Sequence, residues 1–126
     1  VTLSYNGLAI APVQAMINGA LFEWVVENLL KNSLDALQGQ GEIDVRISDD
    51  LEWVYIDVKD TGKGIPKSNF KRIFEPGFTT KTRGWGLGLS LSRRIIEEYH
   101  KGRIYVVDSE PGRGTTIRIA LKRLYA

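Results

Sequence analysis

Asp60-Thr61-Gly62-Lys63-Gly64 is the stretch that most restricts the fold, because it is one of four motifs that follow one another along the chain. Residues 27–36, Glu-Asn-Leu-Leu-Lys-Asn-Ser-Leu-Asp-Ala, precede it. Residues 84–90, Gly-Trp-Gly-Leu-Gly-Leu-Ser, and residues 112–116, Gly-Arg-Gly-Thr-Thr, follow it. A single Gly-x-Gly pair indicates little, whereas four blocks in this order are specific evidence for one kind of domain.

Residues recur at helical spacing in two stretches of the chain. The first stretch predicts a helix that Asn18 caps and that the glycines of residues 39–41 end. The second begins near Leu87 and ends at Lys101-Gly102. The residues at this spacing are Phe22, Val25, Val26, Leu29, Ser33 and Ala36 in the first helix and Leu87, Leu91, Ile95 and Ile96 in the second. The face of the second helix that is predicted to be exposed to solvent consists of Arg93, Arg94, Glu97 and Glu98.

Short strand-like runs flank these helices. They cover residues 1–5, 13–17, 43–47, 54–58, 104–107 and 117–121. The resulting order, β-β-α-β-β-loop-α-β-β, predicts a two-layer α/β sandwich with one mixed sheet and helices on one face, as a single domain over residues 1–126. Residues 60–85 show no sustained period apart from a helical turn or two at residues 69–74. A loop of this length in a compact domain is typically functional, often a lid.

The composition excludes several classes of function. The chain has no cysteine, so disulfides and thiolate metal sites are excluded. Its net charge of +2 is too small to favour nucleic acid, and we expect no nucleic-acid partner. No apolar run approaches the ~18 residues that a membrane-spanning helix needs. We expect a cytoplasmic location, either as a soluble fragment or as the cytoplasmic part of a membrane-bound protein.

Three polar residues hold positions that suggest chemistry. Asn28 and Asn32 are one helical turn apart, so both amides can enter one site, and amide oxygens suit Mg²⁺. Taken alone, such a pair is more often part of a solvated face. Asp60 continues the alternation of Ile56 and Val58, which places its carboxylate on the buried side of the sheet. A buried carboxylate needs a hydrogen-bonding partner.

Together the four blocks resemble the ATP-binding domain of bacterial sensor histidine kinases, from about residue 21 to about residue 121. That domain has the Bergerat fold of the GHKL ATPases and kinases, which also include type II topoisomerases, MutL and the heat-shock chaperone ATPases. The resemblance implies a long ATP lid and the cofactors ATP and Mg²⁺. It also implies transfer of the γ-phosphoryl group to a histidine on a separate dimerisation domain, in two-component signal transduction.

The resemblance assigns the nucleotide contacts as well. The position of Asp60 contacts the adenine amino group, Thr116 adds a hydroxyl near the same edge, and Gly62 and Gly64 leave room for the base. The glycines of residues 84–88 bring backbone close to phosphate at the start of the second helix. The nucleotide-binding residues implied in this way are Asn28, Asn32, Asp35, Asp60, Gly62, Gly64, Ile65, Phe74, Thr80, Gly84, Gly86, Leu87, Gly88, Leu89 and Thr116.

The implied catalytic residues are Asn28, Asn32, Lys81 and Arg83. In the resembled family Asn32 supplies the magnesium ligand, and Asn28 stands where the hydrolytic relatives carry a glutamate base; both are metal-binding candidates here. An amide cannot take a proton at neutral pH, which favours a kinase over an ATPase. Asp35 stands where many kinases of the family carry a cation that reaches toward phosphate. A phosphate-binding cation must then come from the lid, where Lys81 and Arg83 are the candidates.

Aromatic residues of the lid complete the resemblance. Phe74, Pro76 and Phe78 are similar to the family's F-box, whose implied role is to dock the lid and to contact the phosphoacceptor helix. Trp85 lies between two glycines. It could pack over the nucleotide or anchor the lid.

His100, the only histidine, ends the second helix in a context unlike that of the family's phosphoacceptor, and we predict a structural role for it. The implied partners are ATP or ADP, the dimerisation domain of the same kinase, and a downstream response regulator. We expect a homodimeric parent protein and a monomeric fragment. Two alternatives remain open: a hydrolytic ATPase clamp of the same fold, and a serine kinase or anti-sigma regulatory module.

Overall fold

The computed structural model describes residues 2–7, 15–77 and 88–124 of the chain. Its strands are β1 (Thr2–Gly7), β2 (Glu42–Asp49), β3 (Trp53–Asp60), β4 (Arg103–Glu110) and β5 (Gly114–Lys122). Helix α1 (Gly19–Leu37) lies between β1 and β2. Helix α2 (Gly88–Arg94) continues into a π-helical turn (Ile95–Tyr99), and two 3₁₀ turns (Lys67–Asn69 and Arg72–Phe74) follow β3. None of the helices in the described part of the chain has the length and apolar character required to cross a bilayer.

The strands form one mixed sheet in the order β1-β2-β3-β5-β4. Strand β1 pairs with β2 in parallel, and the other three pairings are antiparallel, so the prediction of a mixed sheet is confirmed. The prediction of a strand at residues 13–17 is wrong for residues 15–17, which are the part that the structure describes. Only Ala15 pairs, in an isolated bridge with Arg123, and residues 16–18 are irregular because they lead into the cap of α1.

The core lies between one face of this sheet and the helices, which confirms the two-layer sandwich. On β3, alternate side chains are buried, from Val54 to Asp60, while the residues between them are more accessible. Helix α1 packs against them through its own buried side chains, Val25, Leu29, Ser33 and Leu37. Burial of an aliphatic side chain of this size contributes about 1.5–3 kcal/mol, so this face supplies most of the stability of α1.

The buried face of α2 differs from the predicted one by a single residue. Leu91 was expected inside, but 42% of it is exposed, whereas Ser92 is fully buried. The buried face is centred on Ser92 and Ile96, and Leu91 lies about 100° to one side of it on the helix. The buried position therefore belongs to a serine, whose hydrogen bonds are described below.

The ends of α1 follow the predicted signals. The Asn18 Oδ1 accepts a hydrogen bond from the backbone N–H of Leu21 (3.1 Å), so Asn18 is the N-cap. Gln38 ends the helix in the left-handed conformation, with φ 53°, and Gly39 follows with φ 92°. Positive φ costs a glycine nothing, and the glycine-rich stretch accordingly stops the helix.

His100 joins the end of the second helical segment to the start of the first. Its Nε2 accepts a hydrogen bond from the backbone N–H of Asn18 (3.0 Å), so the ring hydrogen resides on Nδ1, which donates to the carbonyl of Ile95 (3.0 Å). The ring is buried and its centroid lies 5.8 Å from that of Phe22. Both ring nitrogens are used inside the fold, and this is a structural role.

We predict that His100→Ala lowers the free energy of unfolding by about 2–4 kcal/mol, because it leaves two backbone groups without a partner and opens a cavity. Urea denaturation measures this difference. Glu98→Ala is the matched control on the same helical segment, since the contact of Glu98 among the described residues is an exposed ion pair with Arg94, whose loss should change stability by less than about 0.5 kcal/mol. Equal stability of the two variants would contradict the assignment.

Candidate functional site

Asp60 places a carboxylate inside the molecule at the end of β3, as its position in the strand alternation predicts. Only 6% of the residue is exposed. Its Oδ1 accepts a hydrogen bond from the backbone N–H of Gly62 (2.9 Å), and the carboxylate also accepts from the Ser33 hydroxyl and the Thr115 backbone N–H. Burial raises the pKa of this carboxyl, and the three hydrogen bonds oppose the rise. A buried carboxylate with these partners is a strong, fixed acceptor.

The hydroxyl beside Asp60 comes from Thr115, and the prediction of Thr116 needs correction. In the pairing of β3 with β5, Thr115 lies opposite Asp60 and Thr116 lies opposite Lys59. Neighbouring residues of a strand point to opposite faces, so the Thr116 side chain lies on the face away from Asp60. The sequence contains two successive threonines, and only the register of the strands selects between them.

Close contacts within the protein require glycine at positions 62 and 64. A Cβ on Gly62 would lie 2.6 Å from the carbonyl oxygen of Ala36, in the last turns of α1. Gly64 has φ +72°, and a Cβ there would clash with the Glu110 carbonyl. The backbone between them is tied to α1 as well, because the Lys63 N–H donates to the Ala36 carbonyl (3.1 Å). These glycines join α1, β3 and the β4–β5 hairpin at close range.

The amide of Asn28 is held in one orientation by Ser92. The Ser92 Oγ lies 2.9 Å from the Gly88 carbonyl and 3.0 Å from the Asn28 Nδ2. A carbonyl can only accept, so the single hydroxyl hydrogen of Ser92 goes to Gly88 and Ser92 accepts from Asn28. The Asn28 NH₂ therefore faces Ser92, and its Oδ1 is directed toward the start of α2, where a Cβ on Gly88 would lie 2.7 Å from it.

The other predicted site residues differ in their burial and in whether the structure describes them. Asn32 is half-buried one turn along α1 from Asn28, whereas Asp35 is exposed. Ile65 and Leu89 pack at the edge of the core, and Phe74 is buried within it, which suits an anchor for the segment after β3. The predictions for Thr80, Lys81, Arg83, Gly84, Gly86 and Leu87, together with Phe78 and Trp85, lie outside the described residues.

A metal ion at this site would depend on amide oxygens. Within residues 15–77 and 88–124 there is no group of three or more histidine, cysteine or acidic residues that could hold a metal. Asn28 and Asn32 project from successive turns of α1, and oxygen donors of this kind suit Mg²⁺, which keeps several waters and takes few protein ligands. The donor set thus fits magnesium bound jointly by protein and an oxygen-rich ligand.

Sequence reasoning missed three serines and one threonine of the site: Ser33, Ser92, Ser109 and Thr115. Ser33 and Ser92 each occupy a buried position among buried apolar residues of their helical segments, and a lone hydroxyl at such a position is the signal that could have identified them. Ser109 has no comparable signal, because the contact that ties it to the glycine motif after β3 is made with Ile65, 44 positions away.

Comparison with known proteins places the chain among nucleotide-binding domains. The sequence model of the family described as histidine kinase-, DNA gyrase B-, and HSP90-like ATPase matches residues 18–124. Sporulation kinase A of Bacillus subtilis is 43% identical over 96 residues, which are 76% of this chain and 16% of that protein. The nitrogen regulation protein NtrY of Azorhizobium caulinodans is 38% identical over 118 residues, which are 86% of this chain and 15% of that protein. The chain thus spans less than a fifth of the length of these two relatives.

Solved structures show the same architecture. The catalytic domain of the histidine kinase ThkA superposes with a TM-score of 0.83 at 27% identity, covering 96% of this chain and 79% of that one. A second structure contains ThkA in complex with the response regulator protein TrrA, and there the TM-score is 0.80 at 26% identity, covering 97% of this chain and 34% of that one.

We predict that Asp60 makes the folded state less stable as pH rises. The carboxyl holds its proton more tightly in the folded than in the unfolded chain, where its pKa is near 3.8. The protonated carboxyl therefore favours the folded state. This contribution to stability is fully present below pH 3.8 and is lost as the pH rises through the raised pKa of the folded state. The stability of Asp60→Asn minus that of the wild type should therefore grow as the pH rises above about 4. Urea denaturation across this range measures it, and a difference that is flat or shrinks contradicts the burial argument.

Proposed function

The chain belongs to the family of histidine kinase-, DNA gyrase B- and HSP90-like ATPases, and we propose that it binds Mg·ATP and donates the γ-phosphoryl group to a protein histidine. The observation that carries the proposal is the buried carboxylate of Asp60 beside Thr115, together with the fixed amide of Asn28. Asp60 and Thr115 fit the base of a nucleotide, and Asn28 fits its metal and phosphates. Of the proteins named above, one is a sporulation kinase and ThkA is a histidine kinase, which supports kinase chemistry.

Asp60 gives the site its preference for adenine. The ionised carboxylate can accept a hydrogen bond from the exocyclic amino group of adenine, whereas guanine would present a carbonyl to the same oxygen atoms. A site that is built around a specific hydrogen bond rejects the wrong partner strongly. We expect ATP to bind at least ~10-fold more tightly than GTP, a difference of about 1.4 kcal/mol.

Asn28 and Asn32 are the proposed magnesium ligands. Mg²⁺, when bound, neutralises charge on the β- and γ-phosphates and so favours transfer of the terminal phosphoryl group. The contribution of the chain at Asn28 is to present an amide oxygen without rearrangement. Ser92 makes this possible for Asn28, because it engages the NH₂ group and leaves Oδ1 toward the start of α2. Ile65, Leu89, Phe74 and Asp35 remain proposed neighbours of the nucleotide, as do the residues outside the described ranges.

The same amide argues against brisk hydrolysis. Hydrolysis needs a group that takes a proton from the attacking water, and neither Asn28 nor Asn32 can do so. Glu27 is exposed and lies about 100° around α1 from Asn28, so it does not replace the missing base. Transfer to a nucleophile that is already basic, such as a neutral imidazole, needs no carboxylate at this position.

The accepting histidine must come from elsewhere. His100 is the only histidine of the sequence, and both of its ring nitrogens are engaged inside the fold. We propose that the acceptor lies on the dimerisation domain of the same kinase, that this parent protein is a homodimer acting in the cytoplasm, and that a response regulator receives the phosphoryl group next. The complex of ThkA with TrrA supports the last step by analogy.

We predict that removing the Ser92 hydroxyl weakens the magnesium-dependent part of ATP binding. In Ser92→Ala the Asn28 amide loses its fixed orientation, and loss of such an orienting partner typically lowers metal affinity about 10- to 100-fold. Asn32→Ala should remove the same component with the fold intact. Calorimetric titration of ATP with Mg²⁺ and with a chelator separates this component. Ser68→Ala, an exposed serine, is the control, and a Ser92→Ala response equal to it contradicts the proposal.

We predict that the isolated chain binds Mg·ATP, turns it over very slowly and does not label itself. The dimerisation domain of its parent, added in trans, should become labelled on histidine, with a bond that is labile in acid and stable in base. Lys81→Ala or Arg83→Ala should slow this transfer more than it weakens ADP binding, because we place these cations at the γ-phosphate. Brisk hydrolysis that is abolished by Glu27→Ala would instead establish the ATPase alternative.

A further inference from the structure

Ser109 lies on β4 at the centre of a small hydrogen-bond network next to Asp60. Its Oγ is 2.8 Å from the backbone N of Ile65, 2.9 Å from the carbonyl oxygen of Gly114 and 2.8 Å from the Oγ1 of Thr115. Ile65 follows the glycine motif after β3, and the other two begin β5. One hydroxyl thus connects three segments around the end of β3.

The chemistry of these partners fixes every hydrogen in the network. The Ile65 N–H can only donate, and the Gly114 carbonyl can only accept. The single hydrogen of Ser109 therefore goes to Gly114, and the Thr115 hydroxyl must donate to Ser109. Ser109 is then saturated, with one hydrogen bond donated and two accepted. The hydrogen of Thr115 is committed to Ser109, which leaves only the lone pairs of its Oγ1.

Thr115 lies directly opposite Asp60 in the sheet and on the same face, where the Cβ atoms of paired residues are about 4.5–5.5 Å apart. The Asp60 carboxylate accepts hydrogen bonds from the protein and can accept a further one from a ligand. The site therefore presents two acceptors next to each other. An exocyclic amino group has two hydrogens and matches them, whereas a carbonyl group matches neither.

We propose that Ser109 is a positioning residue for base selectivity, because it forces the Thr115 hydroxyl to accept and so completes a site for a 6-amino purine. This inference rests on the proposed nucleotide-binding function and adds a determinant to it. Without Ser109 the Thr115 hydroxyl can rotate and donate, and it can then serve the 6-carbonyl of guanine. Periodicity alone does not reveal this role, because it depends on two strand registers, which pair Ser109 with Thr115 and Thr115 with Asp60.

The test compares the affinities for ATP and GTP by calorimetric titration. In Ser109→Ala the ATP-to-GTP affinity ratio should fall about 3- to 10-fold, the effect of one hydrogen bond. Ser109→Thr keeps a hydroxyl and should restore most of the ratio. In a Thr115→Val background the hydroxyl is absent, so adding Ser109→Ala should change the ratio by less than about 2-fold. A thermal melt of each variant checks folding, and Ser109→Cys, a much weaker partner, replaces the alanine variant if that variant does not fold.

The outcomes distinguish failure of the positioning role of Ser109 from failure of the proposed nucleotide-binding function. If Ser109→Ala weakens ATP and GTP equally, Ser109 only ties the hairpin to Ile65; the positioning role is then overturned while the proposed function stands. A ratio that still falls in the Thr115→Val background also overturns the role. If the wild type binds ATP and GTP equally, the adenine contact of Asp60 fails first, and the inference falls with it.

Discussion

The carboxyl group of Asp60, buried at the end of β3, is the constraint that determines how the site is assembled. A carboxylate removed from water is costly unless several donors replace the water. Here those donors come from three different segments: the Gly62 backbone, the Ser33 hydroxyl of α1 and the Thr115 backbone of β5. Helix α1 and the β4–β5 hairpin must therefore meet β3 in one fixed arrangement, which also assembles the site.

Close approach of backbone segments makes this arrangement possible. Gly114 begins β5 with φ +126°, and a Cβ at this position would clash with the carbonyl oxygen of Asp60. Gly88 has the equivalent effect at the start of α2, where it lets the helix approach the Asn28 amide. The described glycines among those that first suggested a nucleotide site are thus needed to bring polar groups of the protein together.

Hydroxyl groups then set the direction of the hydrogen bonds. Ser92 orients the Asn28 amide, and Ser109 orients the Thr115 hydroxyl, in each case because a backbone carbonyl takes the serine hydrogen. In both networks a serine that donates to a backbone carbonyl accepts a hydrogen bond from a side chain of the site. Both predefine which atoms face a ligand, which lowers the cost of ordering them when the ligand binds.

Much of the fold could be predicted from the sequence because its signals are local. Alternating apolar and polar residues predicted β2 to β5, and Asn18 marked the start of α1. Asp60 is an even number of residues from the buried Val54, Ile56 and Val58, so it was expected on the same buried face. The remaining features depend on contacts between distant segments. The choice between Thr115 and Thr116 requires the register of β3 against β5, and the partner of Ser92 lies 64 positions away in Asn28. No periodicity within a segment carries that information, and the same holds for the contacts of Gly62 and Gly64.

The central claim is that the buried carboxylate of Asp60 binds the amino group of adenine, and a crystal structure of the chain with Mg²⁺ and ADP tests it most directly. We expect the adenine N6 about 2.7–3.2 Å from an Asp60 carboxylate oxygen, with the Thr115 Oγ1 as its neighbour. A nucleotide bound with its base elsewhere, and with the Asp60 carboxylate still bonded only to the protein, would contradict the account.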